Sequence, residues 1–265
     1  MKSSQKLPHE PVSAWWGLIC LYAELLSGCS TVQTETNKLK SMVVEPAPDA
    51  GFIERPELQS KRADLPFQKV WVKAGFDASH YKELVVAPVN TRYMLEMDWL
   101  HQLSSANLLS DAKKDIEEIG VYFHDQVVKE FKEDPNQRFR VIEYPSEHKQ
   151  PALRLELALI EINPSQPALH AAGWLTPGGG TAAGFVNKRR AAFEGRLRDL
   201  QTAEVVATFA DRDMQDAGPI DLTRLSWYGP AKGIMERWAK QFVEIANKKP
   251  GEVVGDPAPF TVRPF

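Results

Sequence analysis

The chain has 265 residues, 43% of them apolar and 25% charged, a formal net charge of −3 and 2 cysteines. Those proportions are of a globular protein, not a disordered or fibrous one. The slight acidity argues against a nucleic-acid partner, which would want a basic face, and two cysteines are too few for a disulfide framework.

The first 29 residues have three parts. Lys2 and Lys6 give a positive start, Ala14 to Leu26 is a mostly apolar run, and the small residues Ser27 and Gly28 precede Cys29. Positive, apolar, small is the layout of an export signal. The apolar run is shorter than the roughly 20 helical residues that a bilayer core requires. Leu26-Ser27-Gly28-Cys29 resembles the lipobox of bacterial lipoproteins. That resemblance implies cleavage before Cys29, acyl chains (palmitate among them) on its thiol and amine, and attachment to a membrane through those chains. Each buried methylene contributes about 0.8 kcal/mol, so two or three chains hold almost permanently. Ser30 after the cysteine implies sorting to the outer membrane, facing the periplasm. Cleavage would remove residues 1–28 with Cys20 and leave Cys29 as the sole thiol.

Residues 29–50 are polar, contain prolines and show no period, which predicts a flexible tether. A coil of about 20 residues spans roughly 25 Å. Residues 51–249 read as one periplasmic domain. Between Gly51 and Gly75, Phe52, Leu65, Phe67 and Trp71 are expected to pack onto the domain without forming a core element. Tyr81 to Val89 predicts a strand buried on both faces, because Leu84, Val85 and Val86 run on without alternation. Residues 90–106 carry mixed periods. Ser110 to Lys132 predicts an amphipathic helix: Ala112, Ile116, Ile119, Phe123, Val127 and Phe131 share one face. Ser110 or Asp111 would cap it, and Asp134-Pro135 would end it. Gly120 in its middle suggests a close packing contact.

Gln137 to Tyr144 predicts a strand, and Ala152 to Ile162 another, with Leu153, Leu155, Leu157 and Leu159 alternating before Ile160 and Ile162 take over. Asn163 to Asn187 reads as a long loop rich in Gly, Ala and Pro. Lys188 to Arg212 predicts a hairpin turning at Asp199-Leu200-Gln201-Thr202, with Ala191, Phe193, Gly195 and Leu197 on one face and Val205, Ala207 and Phe209 returning against them. Gly229-Pro230 opens a last helix whose apolar stripe is Ile234, Trp238, Phe242 and Ile245. Residues 250–265 hold four prolines and predict an extended tail. The sum is an α/β (α+β) two-layer sandwich: a mixed, mostly antiparallel sheet with two amphipathic helices packed on it.

Several of these stretches are similar to one family. Gly51-Phe52, Trp71 and Tyr81 to Val89 resemble the front half, and Glu194 to Asp199, Thr202 to Ala207 and Trp238-Ala239 the back half, of the bacterial lipoproteins grouped as domain of unknown function 3313. The resemblance covers residues 50–249. Ala203 stands where a turn glycine is expected. The family brings no catalytic residues to carry over, and its motifs are structural. Similar small sandwiches serve as docking domains in other periplasmic lipoproteins, an analogy at the level of fold alone.

The chain shows no catalytic motif. None of its six histidines stands in an H-E-x-x-H spacing, and no G-x-S-x-G elbow occurs. His124-Asp125 reads as a solvated helix face. Gly178-Gly179-Gly180-Thr181 lacks the Lys-Ser/Thr ending of a phosphate loop. No metal or other cofactor is implied. The residues singled out for partner binding are Trp174 in the long loop and the basic run Lys188-Arg189-Arg190 beside it. The expectation is therefore a lipid-anchored, non-enzymatic domain that docks another envelope protein. The alternatives are a periplasmic enzyme using Asp211 and Asp213, close to Asp216, as paired carboxylates, or a structural subunit of a secretion or envelope assembly with an exposed strand edge.

Overall fold

A computed structural model describes residues 44–101, 103, 106–143, 150–163, 189–215 and 228–255. The unit described below begins at Glu45. Six strands form one mixed sheet: β1 (Lys69–Val72), β2 (Glu83–Val86), β3 (Arg140–Val141), β4 (Ala152–Asn163), β5 (Arg189–Asp199) and β6 (Val205–Gln215). Their spatial order is β1-β6-β5-β4-β2-β3. The β1–β6, β5–β6 and β4–β5 pairs are antiparallel, whereas β2 runs parallel to both β4 and β3. Two long helices, α1 (Ala106–Lys132) and α2 (Gly229–Asn247), share one core with one face of this sheet. This is the expected two-layer α+β sandwich.

The helix connecting β2 to its parallel neighbour β3 is α1, as a parallel crossover requires. Its buried residues are the predicted stripe together with Gly120. A Cβ added to Gly120 would stand 2.5 Å from Cγ2 of Thr91, so glycine lets the segment before the helix lie against it. The helix begins at Ala106, a turn earlier than the expected cap at Ser110 or Asp111, because Leu108 and Leu109 already pack against the core. Asp134 closes the other end, accepting the amides of Asn136 and Arg138 at 3.0 Å each and the side-chain amide of Asn247 from α2.

Two expectations are corrected. Lys69–Val72 is a strand of the sheet, and Phe67 just before it is a core residue, so this stretch does more than pack onto the domain. Its four residues are too short to show a period, and it pairs with β6, more than 130 residues away in sequence. The predicted strand over Gln137 to Tyr144 contributes only Arg140 and Val141 to the ladder.

Two bulges shift the faces of the long strands. Between Leu159 and Glu161 the β4–β5 register slips by one, so Ile160 is extra and Leu159 and Ile162 both reach the helix-side core. Between Leu197 and Arg198 the β5–β6 register slips likewise, which makes Val206, not the expected Val205, the core residue. An inserted residue inverts the alternation beyond it.

The core centres on rings. Phe193 lies edge-on to Trp238 with centroids 4.7 Å apart, and Phe67 stacks on Phe209 at 5.3 Å. Gly195, paired with Phe209 across the strands, has that ring over it: a Cβ there would meet ring carbon Cε2 at 2.3 Å. Among the described residues no helix is long and apolar enough to cross a membrane.

Candidate functional site

The sheet face away from the helices is built from charge. Alternation on β4 and β5 sends their leucines to the helices and leaves Glu156, Glu161, Glu194, Arg196 and Arg198 on the other side. Glu156 takes an ion pair from Arg196 and lies 3.4 Å from Arg154 and 3.6 Å from Arg198. Glu161 pairs with Arg212 and lies 3.6 Å from Arg190. Shared carboxylates let several guanidiniums lie side by side.

The chain segment from Glu45 to Leu58 crosses this face as a strap. Glu194, 2% exposed, holds it: its carboxylate accepts the amides of Ala50 at 2.7 Å, Phe52 at 3.0 Å and Ile53 at 3.1 Å. Three amide donors satisfy a carboxylate that burial would otherwise penalise. The turn that presents them uses Gly51 at φ +87°, a backbone region that glycine reaches at little cost. Arg196 lies over the Phe52 ring, 4.5 Å from its centroid, and donates to the Phe52 carbonyl. Lys69 pairs with Asp49 at 2.6 Å. Gly51-Phe52 and Glu194-Gly195-Arg196, far apart in sequence, are thus two halves of one contact.

Among the described residues, the hairpin end of the sheet carries two clefts that share the Lys73–Glu204 ion pair of 2.6 Å in their walls. The first, about 380 Å³, is lined by Phe76, His80, Tyr81, Pro151 and Asp199 among others. Here the Tyr81 hydroxyl donates to Asp199 at 2.7 Å. Burial and then this carboxylate push the Tyr81 pKa up to about 12. For Asp199 burial alone would act upward, but the Tyr81 hydroxyl and the amides of Gln201 and Thr202 outweigh it and hold its pKa below the ordinary value. The second cleft, about 360 Å³, lies between the strap and β1, β5 and β6, with Trp71 and Thr208 in its lining.

The residues chosen from sequence are distributed as follows. Cys29, Trp174, Lys188 and Asp216 lie outside the described residues, as do the glycines of the long loop. Arg189 opens β5, and Arg190 sits on the charged face beside Glu161. Asp211 is buried beneath α2, accepting the Trp238 indole N–H at 2.9 Å and the Gln68 amide at 3.2 Å. Asp213 pairs with Arg237 of α2. Both carboxylates therefore join helix to sheet. His124 approaches the Val86 carbonyl through Nε2 at 3.3 Å and Asp125 through Nδ1 at 2.9 Å, and so ties α1 to β2. Among the described residues no group of His, Cys, Asp and Glu could hold a metal ion. Sequence reasoning missed the Glu194 clamp and the Trp71 cleft. A glutamate within an otherwise small and apolar strand stretch, Ala191-Ala192-Phe193-Glu194-Gly195, was the available signal.

The family model described as "Protein of unknown function (DUF3313)" matches residues 48–242, so the chain belongs to that family. The matched region starts in the strap and ends in α2. No curated protein matches the chain. Among solved structures, a PelC L103M dodecamer from Paraburkholderia phytofirmans is similar with TM-score 0.38 and 8% identity, over 68% of this chain and 98% of that one. A hypothetical protein from Chlamydia trachomatis gives TM-score 0.35 and 12% identity, over 63% and 96%.

Proposed function

We propose that this family member is a lipid-anchored envelope protein, held at the outer membrane through Cys29, whose α+β domain docks another envelope protein without catalysing a reaction. The observation that carries the reading is Leu26-Ser27-Gly28-Cys29 after an apolar run with a positive start. The strap adds support. A domain hung on an amino-terminal tether takes mechanical load where the tether meets it, and here residues 49–53 are fixed by an ion pair and by three backbone N–H hydrogen bonds to a buried carboxylate. The engagement of Asp211 and Asp213 in helix-to-sheet contacts further favours docking over acid–base chemistry.

The test has two parts. Cells fed an alkyne fatty acid should label the wild-type chain and leave Cys29→Ser unlabelled, with the variant leaving the membrane fraction. A photo-crosslinking amino acid at position 174 or 188 should give one discrete adduct that depends on its position. An unlabelled, soluble wild-type chain would overturn the anchoring. A labelled chain giving no adduct from either position would overturn docking through those residues.

A further inference from the structure

On the charged face, Arg154, Arg196 and Arg198 share the single carboxylate of Glu156, which leaves an excess of positive charge among them. Arg154 of β4 and Arg198 of β5 are direct cross-strand partners, and on the same face Glu156 stands opposite Arg196. Arg196 takes the close contact, donating through Nε to Glu156 while its guanidinium lies over the Phe52 ring. Arg154 and Arg198 are left with one shared oxygen of Glu156, at 3.4 and 3.6 Å. Arg154 donates no hydrogen bond among the described residues, and Arg198 donates to the Ala203 carbonyl. Like charges directly opposite on neighbouring strands are destabilising. Neighbouring acids do little to relieve this. Glu54 lies 4.0 Å from Arg196 but its side chain is 82% exposed, where an ion pair contributes little, and Glu83 already pairs with Arg140. The Arg154 and Arg198 side chains are 43% and 24% exposed, so both can be reached from solvent.

A group that bridges this pair needs more than one negative charge and oxygens for two guanidinium forks. A carboxylate brings one charge and two oxygens, which Glu156 already supplies. A terminal phosphate carries a charge of about −1.5 to −2 at neutral pH on three acceptor oxygens, and its geometry matches the planar donor fork of arginine. We propose that Arg154 and Arg198 together bind a terminal phosphate group, borne by a lipid headgroup or by a soluble phosphomonoester. The site stands on this face of the sheet alone and does not rest on the anchoring or docking proposed above.

Two arms test it, both on the full chain carrying Cys29→Ser so that no acyl chain contributes. In the first, glycerol 3-phosphate is titrated by calorimetry. In the second, sedimentation measures binding to phosphatidylcholine vesicles with and without phosphatidic acid, which bears the same phosphate on a lipid. Binding in either arm supports the site and identifies the source: the vesicle arm alone a headgroup, the calorimetric arm alone a soluble ester, both arms a site open to either. Arg154→Gln and Arg198→Gln should each weaken that binding by about tenfold, the loss of hydrogen bonds to a charged group. Arg154→Lys, which keeps the charge without the fork, should recover only part of it. Thermal unfolding of Arg154→Gln should show an unchanged or higher Tm, because the change relieves a like-charge pair, so lost binding would not reflect lost folding. The proposal is overturned if glycerol 3-phosphate at about 10 mM, a level weaker than ordinary specific recognition, does not bind and phosphatidic acid adds nothing over phosphatidylcholine. Binding that neither glutamine substitution weakens would overturn it too, as would equal binding to phosphatidylglycerol vesicles of matched surface charge.

Discussion

The indole N–H of Trp238 donates to a carboxylate oxygen of Asp211 at 2.9 Å inside the core, joining the last helix to the sixth strand. The pair shows why acidic residues after the hairpin do not make an acid–base couple: one is used to satisfy the largest ring in the core. Trp238→Phe keeps most of the apolar contact and removes the donor, so it should destabilise by about 1–3 kcal/mol. Asp211→Asn should cost less than Asp211→Ala, since an amide oxygen still accepts. Urea denaturation of the single and double variants measures the coupling, and additive losses would show that the bond contributes nothing of its own.

Glu194 should act as the fastening of the strap. Glu194→Gln offers one acceptor oxygen where two now serve three amides, and turns an NH₂ group toward donors. The expected loss is about 1–3 kcal/mol, with amide exchange at Phe52 and Ile53 accelerating more than in α1. Equal protection of those amides in the variant would mean that ring packing alone holds the strap.

Ala203 occupies the left-handed region at φ +60°, where an L residue with a Cβ is strained by about 1 kcal/mol. Ala203→Gly should therefore stabilise the hairpin by about 0.5–1 kcal/mol, a little less than the strain because the unfolded chain gains freedom. Thermal unfolding would reveal the gain as a higher Tm. A fall in Tm would mean that the loop conformation is set by something other than this residue.

The Tyr81–Asp199 pair predicts losses of stability at both ends of the pH range. The Tyr81 pKa is raised to about 12, so its contribution is complete below the unfolded value near 10 and is lost as pH climbs toward 12. The Asp199 pKa is lowered, so its contribution is present above the unfolded value of about 4 and is lost as pH falls through the folded one. Tyr81→Phe should weaken the alkaline loss and move the acid loss to higher pH, because Asp199 then titrates closer to its ordinary value. Denaturation curves between about pH 2 and 4 and between about pH 10 and 12 that overlay those of the wild type would rule the pair out as a stabilising element.

Gly120 and Thr91 should couple. Gly120→Ala gains about 1 kcal/mol of helix propensity but sets a methyl 2.5 Å from Cγ2 of Thr91, and overpacking costs about 1–3 kcal/mol. The single change should destabilise, and adding Thr91→Ser, which deletes that carbon, should restore stability to the wild-type level or above. Failure of the second substitution to restore it would place the clash elsewhere.

The sequence alone determined the two helices, the long strands of the hairpin and β4, and the layer that they form. Each of these carries a period of 3.6 or 2 over ten or more residues, and the hydrophobic effect acts on that period locally. The lipobox reading is also sequence-borne, since it rests on consecutive residues. Tertiary structure decided the rest. Lys69–Val72 is a strand only because β6 lies alongside it. Val206 replaces Val205 in the core because a bulge, set by pairing, inserts one residue. Glu194 looks from sequence like an exposed strand residue, yet it is 2% exposed, because the amides that make its burial tolerable come from residues more than 140 positions earlier. The Trp71–Thr208 cleft likewise exists only where the strap, the edge strand and the hairpin meet. Such contacts depend on which distant segments become neighbours, and no local period carries that information.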